Sequence, residues 1–162
     1  MGGNLVLFSA RVLMVAVWAF AIPAAARPAG LVNLWQTESG DGVIAIEPCN
    51  GKLCGRIVGI ARGPQEPMPT DVHGRSQCGL QIIEFDSKQA DGEWDGHITD
   101  PRNGSVWNAS ARVDADGALK LRGYLKFSLL GSTQTWRPYS GTIGPECRLE
   151  NAASASVERH HG

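Results

Sequence analysis

Glu93-Trp94-Asp95-Gly96-His97-Ile98-Thr99, then Asp100-Pro101-Arg102-Asn103-Gly104-Ser105, then Val106-Trp107-Asn108-Ala109-Ser110-Ala111-Arg112-Val113 is the stretch that decides the fold. In the first segment Trp94, Gly96 and Ile98 alternate with Asp95, His97 and Thr99. In the third, Trp107, Ala109, Ala111 and Val113 alternate with Asn108, Ser110 and Arg112. Strict alternation marks a β-strand with one buried and one wet face. Between them, Pro101 presets a turn dihedral and Asn103-Gly104 tolerates the left-handed conformation that closes it. Asp114-Ala115-Asp116-Gly117 is a second short turn, after which Leu119, Leu121 and Gly123 oppose Lys120, Arg122 and Tyr124. Connections this short force antiparallel neighbours.

Reading outward, the same pattern gives eight strand candidates: 31–37, 43–48, 53–60, 80–86, 93–99, 105–113, 118–127 and 132–138. Asn50-Gly51 is a two-residue hairpin turn, because both residue types accept positive φ. No long stretch has the 3.6-residue period of an amphipathic helix. The expected fold is all-β, an antiparallel up-and-down β-barrel of about eight strands. A barrel removes exposed strand edges, and sequential hairpins favour it over a sandwich. An outer-membrane barrel would need an apolar outer face, and the charges here fall on that face. Residues 61–79 form one long connection containing Pro64, Pro67, Pro69 and Gly74. Connections of that length are often functional.

Residues 1–26 are set apart from the fold. Arg11 precedes the apolar run from Val12 to Ile22, and Pro23 and Ala24-Ala25-Ala26 follow. A positive region, an apolar stretch and a small-residue site read as a secretory signal peptide, cleaved after Ala26. The alternative is an uncleaved anchor, although Arg11 interrupts the roughly 20 apolar residues a span requires. The expected organisation is a signal peptide at 1–26, a β-barrel domain at 27–148 and a disordered polar tail at 149–162. After cleavage the protein is expected to be periplasmic or secreted and not transmembrane. The mature chain carries 14 basic and 16 acidic side chains, which offers no footprint for nucleic acid.

Cys49, Cys54, Cys78 and Cys147 all lie in the mature part. An even number in an exported chain argues for two disulfides, and three pairings are open. The preferred pairing joins Cys49 to Cys54 diagonally across the hairpin and Cys78 to Cys147 over a long loop. A zinc site is disfavoured, because no second closely spaced pair or neighbouring histidine completes the Cys49/Cys54 spacing. No metal and no cofactor are expected.

Several motifs together resemble the DUF2147 family of bacterial exported proteins. They are Leu34-Trp35-Gln36-Thr37, Val43 to Cys49, Gly51-Lys52-Leu53-Cys54-Gly55-Arg56-Ile57-Val58, Gly79-Leu80-Gln81-Ile82, Trp94 to Pro101 and Gln134-Thr135-Trp136-Arg137. The resemblance spans most of 31–138 and implies compartment and fold without an activity. More distantly, an early Trp and a late Arg resemble lipocalin-like barrels, in which the guanidinium stacks on the indole and closes one barrel end. That likeness casts Trp35 and Arg137 as a structural closure.

Candidate ligand contacts fall into two groups. Trp94, Ile98 and Trp107 occupy the apolar faces and form either core or the wall of a pocket. Asp71, His73 and Arg75 lie in the long connection and form either a polar site at the barrel mouth or a loop brace. His97 reads as a surface residue. No nucleophile elbow, phosphate loop or zinc-protease motif occurs, and no catalytic residue is assigned. The first functional reading is a periplasmic binder of a small apolar molecule. The second is an envelope protein-interaction module with a filled core that acts through loop 61–79.

Overall fold

The computed structural model describes residues 30–124 and 131–150. It contains eight strands: β1 (Asn33–Gln36), β2 (Gly42–Cys49), β3 (Lys52–Ile60), β4 (Gln81–Lys88), β5 (Trp94–Thr99), β6 (Val106–Val113), β7 (Leu119–Tyr124) and β8 (Ser132–Pro138). They pair antiparallel in chain order, and β8 returns to β1 to close the barrel. Each lies within a few residues of its expected position. Of the expected strand 118–127, residues 125–127 fall outside the described residues, as do the expected signal peptide and residues 151–162. Among the described residues no helix is long and apolar enough to cross a membrane.

The turns form as their residues dictate. Asn50 and Gly51 both have positive φ, 47° and 79°, and join β2 to β3. The register across β5, β6 and β7 places Trp94 opposite Ala111, Ile98 opposite Trp107 and Ala111 opposite Leu121. The alternating apolar sets therefore share the interior face. Trp35, Ile46, Ile83, Phe85, Leu119 and Trp136 fill one half of that interior, each 2% exposed or less. Burying such side chains stabilises the fold by about 1.5–3 kcal/mol each.

Both disulfides form, Cys49–Cys54 with a Cα separation of 5.8 Å and Cys78–Cys147 with 5.7 Å. Cys54 stands opposite Glu47 and Cys49 opposite Lys52, so the first bridge runs diagonally across the hairpin. The second ties the β3–β4 connection to the segment after β8.

That segment is a strap on the outside of the barrel, and it corrects the expected domain end at 148. Tyr139 N–H donates to the Leu34 carbonyl, and further on Leu149 N–H donates to the Ile60 carbonyl. Leu149 is buried at 8% exposure, whereas a tail from 149 was expected to be disordered. Gly59 makes this packing possible: a Cβ there would meet the Leu149 side chain and lie 2.8 Å from Val43 Cβ. The strap thus covers Val43, an outward-facing apolar residue of β2. Arg62 clamps it by donating to Glu146 Oε2 at 3.0 Å.

Candidate functional site

The other half of the barrel interior is hollow. A chamber of about 790 Å³ opens at the end where the β1–β2, β3–β4, β5–β6 and β7–β8 connections gather. Its walls are Ile44, Ile57, Ile98, Trp107 and Leu121 from the inward alternation of the strands, with Ile82 beside the irregular β3–β4 register. The large aromatic side chains Trp35, Phe85 and Trp136 belong to the filled half, which leaves this half open.

The rim is polar. In the β1–β2 turn, Ser39 Oγ donates to Asp41 Oδ1 at 2.5 Å and Thr37 Oγ1 donates to the same oxygen at 2.7 Å. These bonds, Ser39 first, hold the Asp41 carboxyl below its usual range against the opposing effect of burial. In the β5–β6 turn, Arg102 donates from its backbone N–H and Nε to Asp100 Oδ1 and from a terminal nitrogen to Oδ2 at 2.8 Å. The Arg102 hydrogen bonds likewise depress Asp100, and Asp100 raises Arg102. Both turns are thus stiffened by their own side chains, and each presents ionised carboxylate oxygen at the opening.

Of the residues singled out in the sequence, Ile98 and Trp107 line this chamber side by side, since they are register partners. Trp107 keeps 37% exposure. Trp94 also points inward, but it packs against the core cluster and is not part of the chamber wall. It sits at the start of β5, away from the opening.

Asp71, His73 and Arg75 are brought together, but as a brace for their own loop. Asp71 Oδ1 accepts the backbone N–H groups of His73 and Arg75, at 2.9 and 2.8 Å. Its Oδ2 accepts Arg75 Nε at 2.7 Å and a terminal guanidinium nitrogen at 2.6 Å. The Asp71 side chain is 3% exposed. Burial would raise its carboxyl, yet the Arg75 and backbone hydrogen bonds prevail and it is lowered. A carboxylate so fully engaged holds the loop in shape and has little capacity left for a ligand. His73 takes part only through its backbone N–H. The three residues border a separate cleft of about 110 Å³.

Trp35 and Arg137 are not stacked. Arg137 stands opposite Gln36, while Trp35 stands opposite Pro138, so the alternation turns Arg137 to the outer face. Its guanidinium is 68% exposed and lies 3.8 Å from Asp116 in the β6–β7 turn. Trp35 closes the filled half from within, donating its indole N–H to the Leu31 carbonyl at 2.8 Å. His97 is on the outer face, its Nδ1 3.4 Å from Asp86.

The sequence reading missed Gln134, a polar residue on the inner wall. It stands opposite Leu121 and one inward step toward the opening from Trp136, which stands opposite Leu119. Its Oε1 accepts the Trp136 indole N–H at 2.8 Å. The signal was present in the alternation of Ser132, Gln134 and Trp136, a polar–polar–apolar inner face on β8. Among the described residues, no group of three or more His, Cys, Asp or Glu side chains gathers as a metal site would require. The geometry is that of a container with apolar walls, one amide on the wall and a polar opening.

Comparisons agree with this geometry at the level of fold. The model of DUF2147, described as an uncharacterized protein conserved in bacteria, matches residues 33–137. Among solved structures, protein HP1028 of the human pathogen Helicobacter pylori, described as belonging to the lipocalin family, is similar with a TM-score of 0.58 at 18% sequence identity. The match covers 68% of this chain and 83% of that one. No curated protein matches the chain.

Proposed function

The chain belongs to the DUF2147 family, and we propose that its lipocalin-like barrel is an exported carrier that holds one small, largely apolar molecule. The observation that carries this reading is the chamber of about 790 Å³, within the 300–1,000 Å³ range typical of small-molecule sites. Its walls are isoleucine, leucine and tryptophan, and its polar groups are few and gathered mainly at the opening. An apolar molecule would gain about 25 cal/mol for each Å² of surface withdrawn from water. An interaction module with a filled core is less well supported, because half of this interior is open. Export is supported by the leader pattern of residues 1–26 and by two disulfides, which persist in oxidising compartments.

The test is native mass spectrometry of the mature chain purified from the periplasm of its host, with titration of the neutral dye phenylnaphthylamine. A bound mass lost on denaturation, or saturable one-to-one dye binding that Trp107→Ala weakens, is the expected result. An unliganded mass together with no saturable dye binding would sink the carrier reading. A precursor that stays in the cytoplasm with reduced cysteines would sink the export reading.

A further inference from the structure

Resting on the carrier reading, we infer that Gln134 determines which apolar molecules the chamber selects: those with a hydrogen-bond acceptor, a carbonyl or ether oxygen.

The argument starts from an asymmetry in the two partners. An indole N–H can only donate, whereas a glutamine amide has one accepting oxygen and one NH₂ group with two donors. Trp136 Nε1 lies 2.8 Å from the Gln134 side chain, so the atom it meets must be the oxygen. Trp136 is 2% exposed and held in the core, which makes it a fixed reference for that orientation. The Gln134 NH₂ group is left without a partner among the described residues. Gln134 borders the chamber, and its register partner Leu121 is one of the apolar wall residues. Gln134 is itself exposed, one inward step nearer the opening than the buried Trp136.

The chamber wall therefore carries an amide whose oxygen is engaged by Trp136, which leaves its NH₂ group to meet a ligand. In the empty barrel, water satisfies those N–H groups. A plain hydrocarbon that displaces this water strands two donors, which is unfavourable. A ketone, ester or ether oxygen replaces the water's role and strands fewer. Sites built to hydrogen-bond a substrate group discriminate strongly against the analogue lacking it, for the same reason. Trp136 acts here as a positioning residue, because it prevents the amide from turning its oxygen to the ligand.

The experiment is displacement of phenylnaphthylamine by methyl hexyl ketone and by octane, on the mature wild type, Gln134→Leu and Gln134→Glu. Gln134→Glu keeps the shape and the acceptor for Trp136 while removing both N–H donors. Near-ultraviolet circular dichroism establishes that each variant is folded. The expected result is that both substitutions weaken the ketone by roughly tenfold, the worth of one hydrogen bond. Octane is expected to bind Gln134→Leu as well as or better than the wild type. An equal change for both compounds in both variants would overturn the inference while leaving the carrier reading intact. If neither compound displaces the dye from the wild type, both readings fall together.

Discussion

Removing the Cys78–Cys147 bridge should cost the protein about twice as much stability as removing Cys49–Cys54. The two bridges differ chiefly in the length of chain they close, 69 residues of separation against 5. In the chain-entropy treatment, the longer loop corresponds to about 4.4 kcal/mol at 25 °C and the shorter to about 2 kcal/mol. A domain of this kind has on the order of 5–15 kcal/mol in total, so the first loss leaves it near the edge of folding. The structure also says where the damage would show. Cys147 anchors the strap whose Leu149 covers Val43 and Gly59, whereas the closed strand ladder from β1 to β8 is made without it. The Cys78→Ser/Cys147→Ser chain should therefore keep its β-sheet circular dichroism while its guanidinium midpoint falls sharply. The assay is equilibrium unfolding of the mature wild type and of each double serine variant, followed by tryptophan fluorescence. If the Cys49→Ser/Cys54→Ser chain loses as much or more, loop closure is not what these bridges contribute and the reasoning fails.

Two further outcomes follow from the side-chain geometry. Arg137→Ala should change stability by less than about 1 kcal/mol, because its ion pair with Asp116 is solvent-exposed on both sides; a loss of several kcal/mol in urea unfolding would restore a barrel-closing role for Arg137. Asp41, Asp71 and Asp100 all have carboxyls held below the ordinary value of 3.8. Their contribution is thus complete above the unfolded-state value and is lost as pH falls through the lower folded-state values. Asp100→Asn removes one of these titrations, so its stability should decline less steeply than that of the wild type between about pH 5 and pH 2. Superimposable acid-unfolding slopes for the two chains would contradict that assignment.

Much of the barrel is legible in the sequence, because the information is local. The alternation of Trp94, Gly96 and Ile98 against Asp95, His97 and Thr99 depends only on the two-residue repeat of a strand. Asn50-Gly51 and Asp114 to Gly117 encode their turns through dihedral preferences that need no distant partner. Most strand neighbours followed from short connections, the 61–79 connection between β3 and β4 being the exception. The same two-residue period also settles the direction of Arg137. Arg137 directly follows the inward Trp136, so the period of two sends it outward, and the likeness to a Trp–Arg closure gave way to that geometry. Asp71 reads from sequence either as a site or as a brace. The choice depended on whether its oxygens find Arg75 and two backbone N–H groups.

The sequence by itself determined an antiparallel eight-strand barrel with one apolar face, because strand period, turn chemistry and hairpin length are properties of neighbouring residues. Only the tertiary structure decided that half of the interior is a chamber, that Leu149 is held against Gly59, and that Gln134 Oε1 accepts the Trp136 indole N–H beside that chamber. Those outcomes depend on how much side-chain volume eight inward faces contribute at the same height of the barrel. That sum runs over residues far apart in the chain, and no local pattern contains it.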